Sequence, residues 1–303
     1  MSWYEELDRW TADYLPEMTY EREAPLARYT SFRIGGPAKL FIEPKTEKEL
    51  SAVLKKCREN KTEYIIIGNG SNLLVSDDGI SKAVIRLSGD FEKIELLDET
   101  TVKAGAGASL GSLCRFALEN SLSGLEFAFG IPGSVGGAAF MNAGAYGGEM
   151  KDVVLSCSHI DREGNTGVFS KEQLGFSYRK SVYGENGFVV TGVTFKLQKG
   201  EKGAIEEKMN DLLSRRKGKQ PLSFPSAGSV FKRPEGYFAG ALIEQSGLKG
   251  KTVGGAQVSE KHAGFIVNIG SATCKDVKDL IEYCQKTVFD NFGVKLETEI
   301  KMI

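Results

Sequence analysis

The stretch GNGSNLL, Gly68–Leu74, directly follows the apolar run YIII at Tyr64–Ile67. A short apolar run rich in β-branched residues reads as a buried strand, and the glycines after it end it in an open loop. The backbone N–H groups of such a loop, with the side chains of Asn69, Ser71 and Asn72, are able to cradle a diphosphate. A second, longer loop, GIPGSVGGAAFMNAGAYGGE, runs from Gly130 to Glu149 and is long enough to wrap the rest of a dinucleotide. Neither loop fits the dinucleotide fingerprint GxGxxG before a helix, or the phosphate loop GxxxxGK followed by Ser or Thr. A single glycine loop is more often a plain turn. Two of this length in one chain favour a long phosphorylated ligand between them.

Outward from these loops the periodicities give an α+β protein. Trp3, Leu7, Trp10 and Tyr14 share one helical face, and residues 46–60 read as a helix with a capping-box start at Thr46 and Glu49. Its apolar stripe is Leu50, Val53, Leu54 and Cys57. KAVIRL, KIELLD and TVKAGAG are short strands, and SLGSLCRFALENSL is a helix with Leu110, Leu113, Phe116 and Ala117 apolar. VVLSCSHID and TGVFS form a hairpin, and FSYRKSV and FVVTGVTFKLQ read as strands. A linker is predicted at 199–203, then a helix with a basic end, which suits its dipole. Helix, turn and strand follow, then a long helix that Gly293 stops, and a terminal strand VKLETEIKMI. The division implied is an N-terminal helical segment at 1–27, a glycine-rich domain at 28–198, a smaller α+β domain at 204–290, and a terminal strand at 291–303.

Composition narrows the class. A length of 303 residues fits two domains, and a net charge of −1 gives no footprint for nucleic acid or a charged membrane. No apolar run reaches the roughly 18 residues of a membrane span. The N-terminus MSWYEELDRW carries acids and tryptophans where a signal peptide needs bases and an apolar core, which implies a cytoplasmic protein. The five cysteines are scattered without a CxxC pair, so neither disulfides nor a metal site are expected, and Cys57, Cys114 and Cys284 fall on apolar helix faces. Glycine is abundant: 36 residues, against an average of roughly 7%.

FPSAGSVFKRP, Phe224–Pro234, reads as the rim of a site. Gly228 frees the backbone, Ser229 offers a hydroxyl, and Lys232 and Arg233 bring positive charge. A serine nucleophile needs a base, and the chain has two histidines, His159 and His262. Read from the residues alone, Ser229 serves equally as a cap or turn residue, and Arg179 and Glu299 as surface charges.

TSFRIGGPA, IIIGNGSNLLV, GIPGSVGGAAFMNAGAYG, FSYRKS, PSAGSVFK, GGAQVSEKHAGFIVN and LETEI occur here in one order. Together they resemble the UDP-N-acetylenolpyruvoylglucosamine reductase family over residues 28–303. The resemblance implies an FAD domain similar to that of the vanillyl-alcohol-oxidase type, made of two α/β subdomains, and a smaller domain that holds the substrate. It implies an FAD-dependent oxidoreductase that uses NADPH to complete UDP-N-acetylmuramate for peptidoglycan, and through it the cell wall. The family's catalytic arginine matches Arg179, its serine proton donor Ser229, and its glutamate Glu299 rather than Glu297.

The FAD loops match 67–74 and 130–147. The first supplies Ile67, Gly68, Asn69, Gly70, Ser71, Asn72 and Leu73. The second supplies Gly130, Ile131, Pro132, Gly133, Ser134, Gly136, Gly137, Ala138 and Asn142, then Gly144, Ala145, Tyr146 and Gly147. Tyr178, Arg215, Lys217, Lys219, Lys232, Arg233 and Gln257 are candidate substrate contacts, with the basic ones aimed at a diphosphate. About 50 residues separate Arg179 from Ser229, as in the shorter type of member, which lacks a segment bearing a substrate-gating tyrosine. Arg233 stands where many members have asparagine. Some proteins of the wider flavoprotein group attach FAD through a histidine in the first glycine loop. That loop has none here, so non-covalent FAD is expected, with no metal and a monomer compatible with the sequence.

Overall fold

The computed structural model describes residues 2–303. The chain forms two compact units, each made of several chain segments. The first comprises the described part of Met1–Arg22 with Leu40–Asn69 and Lys82–Ser214, and the second Glu23–Lys39, Gly70–Ser81 and Arg215–Ile303. The division therefore does not fall at the predicted linker 199–203. A single helix, Lys202–Lys219, carries the chain out of the first unit into the second.

The first unit holds a five-stranded antiparallel sheet, in the order Thr166–Ser170, Val154–Ile160, Val189–Lys196, Thr101–Gly105, Ile94–Leu96. The predicted hairpin is its edge, with Cys157 opposite Phe169. A four-stranded sheet runs Thr19–Pro25, Pro37–Glu43, Ile80–Arg86, Tyr64–Ile67, and its last two strands are parallel. The helix Glu47–Glu59 buries Leu50, Val53, Leu54 and Cys57, the stripe read from the sequence. Thr46 accepts the Glu49 N–H at 3.2 Å, but Glu49 reaches back to the Lys45 N–H at 2.6 Å, one residue earlier than a capping box requires. Tyr14 departs from its predicted face and is exposed, whereas Leu7 is buried.

The glycine-rich stretch contains a helix that periodicity did not predict, Val135–Met141, because two of its seven residues are glycine, a poor helix former. Tertiary packing supplies the reason for the first of them: a Cβ on Gly136 would sit 2.7 Å from the Ala106 Cβ. FSYRKS is a tight turn rather than a strand. Ser177 and Lys180 exchange both backbone hydrogen bonds at 3.1 Å, with Tyr178 and Arg179 at the tip.

The second unit packs the helices Ala239–Gln245 and Cys274–Phe292 with a three-stranded sheet, Thr252–Val253, Ala256–Val258 and Ile266–Asn268. Gly293 closes the long helix at φ +68°, donating to the Phe289 carbonyl. The terminal strand is regular only at Lys301–Met302, which pairs in parallel with Leu73–Leu74. All five cysteines are buried and free, and burial pushes Cys57, Cys114, Cys157 and Cys284 up to about 12, so they pack as apolar groups. Among the described residues, no helix is long and apolar enough to cross a membrane.

Asp77 fixes the start of the long helix, accepting the N–H groups of Cys274 and Lys275 at 2.8 and 3.1 Å. Asp77→Ala is expected to cost about 1–2 kcal/mol, read as a lower urea midpoint at unchanged slope.

Candidate functional site

In the first unit the two glycine regions meet. A Cβ on Gly68 would lie 2.2 Å from Ser134 Oγ, and Ser134 in turn caps the helix Val135–Met141 by accepting the Gly137 N–H at 3.2 Å. Asn69 Nδ2 donates to the Pro132 carbonyl at 3.5 Å. The main-chain N–H groups of Asn69, Gly133 and Ser134 bond to no other described residue. A cluster of main-chain donors beside close-packed glycines suits the diphosphate of a dinucleotide, so the residues fit FAD. Tyr146 and Gly147, at φ +52° and +87°, form the two-residue tip of a hairpin between Gly144–Ala145 and Gly148–Glu149, the geometry of a type I′ turn. The Tyr146 ring is exposed there, whereas Ile67, Gly136, Ala138 and Asn142 are buried.

Arg179 adopts φ +56°, unusual for a residue with a Cβ, and its guanidinium lies 4.9 Å from the centre of the Tyr178 ring. Strain of this kind persists where surrounding contacts over-determine it, often at functional positions. The Glu149 carboxyl is held below its usual range, first by a hydrogen bond from Lys151, with the Asn142 amide and the Arg179 charge adding to it.

In the second unit the chain's end binds Ser229 and Glu299 into one piece of sheet. Val230 N–H donates to the Gly264 carbonyl at 2.8 Å, Glu299 N–H to the Val230 carbonyl at 2.7 Å, and Lys232 N–H to the Glu297 carbonyl at 2.8 Å. On its other side the terminal segment meets the 70–76 loop. Asn72 Nδ2 donates to the Glu299 carbonyl at 3.2 Å, and Lys301 N–H to the Asn72 carbonyl at 2.9 Å. Ser229 Oγ reaches the Gly264 carbonyl at 3.5 Å, and Gly228 before it, at φ +78°, has open space where a Cβ would project. Glu297 is exposed and pairs with Lys232 at 3.0 Å, while Glu299 is half-buried.

The basic candidates differ in setting. Arg215, Lys217 and Lys219 are exposed, and the Arg233 guanidinium lies 4.4 Å from the centre of the exposed Phe238 ring. Gln257 Nε2 donates to the Gly250 carbonyl at 3.4 Å. Arg216, absent from the candidate contacts, is the buried cation of its cluster. Its position was readable, because Ile205, Met209, Leu212 and Arg216 continue one helical face at steps of four, three and four. His262 is half-buried, and desolvation holds it below its usual range; its Nδ1 accepts the Gly264 N–H at 3.1 Å.

Residues 38–169 match the model of an FAD binding domain, and residues 220–303 that of the C-terminal domain of UDP-N-acetylenolpyruvoylglucosamine reductase. The reductase of that name from Clostridium perfringens (strain SM101) is 48% identical over 305 residues, covering 100% of this chain and 99% of its relative. The chain belongs to the UDP-N-acetylenolpyruvoylglucosamine reductase family. The Clostridioides difficile (strain 630) member is 50% identical over 281 residues, covering 93% and 92% of the two chains. The crystal structure of the Thermus caldophilus member superposes with a TM-score of 0.81 at 39% identity, over 94% of this chain and 98% of that one. Members are FAD-dependent oxidoreductases with an α+β FAD-binding fold, and this chain shares that fold and that domain.

Gly68→Ala should displace Ser134 Oγ from the Gly137 N–H and narrow the place where the loops meet. The purified variant is expected to retain less flavin, measured as the 450 to 280 nm absorbance ratio, at an unchanged far-ultraviolet dichroism spectrum.

Proposed function

We propose that this chain reduces UDP-N-acetylglucosamine enolpyruvate to UDP-N-acetylmuramate with electrons from NADPH. The observation that carries this reading is the joining of Ser229 and Glu299 by the Glu299–Val230 backbone bond, beside the 70–76 loop. When bound, FAD supplies the hydride that adds to the CH₂ carbon of the enolpyruvyl group. Negative charge then develops on the neighbouring carbon and spreads into the carboxylate. Arg179 is the fixed cation assigned to that charge, and removing one such group typically costs ~10²–10³ in rate.

Ser229 donates the proton to the carbon that carries the charge, giving the lactyl ether. A carboxylate-stabilised carbanion is basic enough to take a proton from a neutral hydroxyl, so no histidine base is needed. The Nδ1 of His262 is occupied by the Gly264 N–H rather than by the Ser229 hydroxyl, which supports a serine acting without a histidine base. Glu299 orients the substrate or assists its polarisation.

The loops that would hold FAD carry no histidine, and the buried His159 ring contacts Tyr183, Phe169 and Phe188, which supports non-covalent attachment. In this reading Arg215, Lys217 and Lys219 are exposed cations for the diphosphate of the UDP-sugar. Both substrates in this reading are water-soluble nucleotides, which is compatible with a cytoplasmic reaction.

The test is turnover in D₂O with unlabelled NADPH and the enolpyruvyl substrate. The expected product carries one deuterium at the carbon beside the carboxylate and at most one in the methyl group, since the N–H of a reduced flavin exchanges with solvent. Product without deuterium at the carbon beside the carboxylate, or NADPH consumption that does not depend on the enolpyruvyl substrate, would contradict the reading.

A further inference from the structure

The flavin-loop resemblance takes in Asn142, yet that side chain is fully buried and its amide is engaged by protein. Nδ2 donates to the Ser177 carbonyl at 3.0 Å and to Glu149 Oε2 at 2.9 Å, while Oδ1 accepts the Lys151 N–H at 2.9 Å. A primary amide has two N–H donors, so both are used. The residue sits at φ +43° and ends the helix Val135–Met141, a left-handed cap position that asparagine tolerates better than most residues.

What Asn142 holds is the base of the turn that carries Arg179. Ser177 is the first residue of that turn, exchanging both backbone bonds with Lys180. On the far side of the tip, the buried Ser181 donates its hydroxyl to the Phe140 carbonyl at 2.7 Å. The turn is therefore fastened on both flanks, at 177 and 181, to the last turn of one helix. Glu149, the second acceptor of the amide, is also bound by Lys151 Nζ at 2.8 Å, and its carboxylate feels the Arg179 charge. A left-handed arginine is strained by its Cβ, and this double fastening supplies the contacts that hold it there.

We propose that Asn142 is a positioning residue for Arg179 and not a ligand of the flavin. The proposal rests on the reading of Arg179 as the cation that stabilises developing charge. Asn142→Asp keeps the shape, removes both donors, and sets a carboxylate against Glu149 and the Ser177 carbonyl. Ser181→Ala removes the other fastening and serves where the first variant folds poorly.

The experiment compares the wild-type holoenzyme with N142D, S181A, R179A and the N142D/R179A double variant. Three quantities are read: FAD affinity, amide hydrogen exchange across 176–181, and the rate at which substrate reoxidises the reduced flavin. N142D is expected to bind FAD within about threefold of wild type and to exchange the Lys180 amide roughly tenfold faster or more, the size of one lost hydrogen bond. Reoxidation slows by roughly tenfold or more, and the double variant is no slower than R179A alone, as for two residues acting through one group. S181A shows the same pattern at smaller size.

FAD affinity that falls tenfold with unchanged exchange would make Asn142 a flavin contact and overturn the proposal. Losses that add in the double variant would overturn it too. Should R179A reoxidise as fast as wild type, the role given to Arg179 fails, and the positioning proposal fails with it. Faster exchange in N142D would then still report the fastening as a structural one.

Discussion

The hydrogen bond from the Glu299 N–H to the Val230 carbonyl, 2.7 Å long, is the constraint around which the second unit's site is built. Ser229 and Glu299 lie 70 positions apart in sequence, and this bond makes their segments neighbours. The chain's last residues run between two partners, the 230–232 segment on one side and the 72–76 loop on the other. Such contacts close a long loop, whose entropic cost grows only slowly with length. Their reward is register: once Lys301 pairs with Leu73, Glu299 is placed beside Val230 without any local sequence signal. The same pairing makes the Asn72 amide an anchor for the Glu299 carbonyl, so part of the loop predicted to hold flavin also holds the acid.

Close approach of backbone to backbone explains much of the glycine content, and it is directed at the protein as well as at a ligand. A Cβ on Gly70 would lie 2.0 Å from the Tyr29 carbonyl oxygen, and one on Gly68 would strike the hydroxyl that caps a helix. The two glycine loops point to a ligand held by main chain. The structure adds that glycines first let these loops pack against their own neighbours, and the packed loops then present their N–H groups.

The regular elements were legible where periodicity and caps agreed. Residues 47–59 announced their buried stripe, the hairpin at 154–170 its pairing, and Gly293 the end of the last long helix. The helix 135–141 was hidden because glycine and alanine carry little periodic signal. FSYRKS alternates like a strand, but its turn is decided by Arg179 at positive φ and by Asn142 more than 30 residues earlier. The terminal segment looked like one strand because the sequence does not show that its pairing switches partners along its length. At the site, the residues alone left Arg179, Ser229 and Glu299 no better than surface charges and a turn serine. The order of motifs along the chain singled them out, and the fastenings made by Asn142 and Ser181 became visible only with packing.

The central claim is that Ser229 delivers a proton to a carbon made basic by hydride transfer. The most direct measurement is rapid mixing of the Ser229→Ala holoenzyme in each half-reaction. Reduction of the flavin by NADPH is expected at close to the wild-type rate, with substrate-driven reoxidation slowed by roughly 10²-fold or more, the scale of a lost general acid. Equal slowing of both half-reactions, or reoxidation at the wild-type rate, would contradict the account.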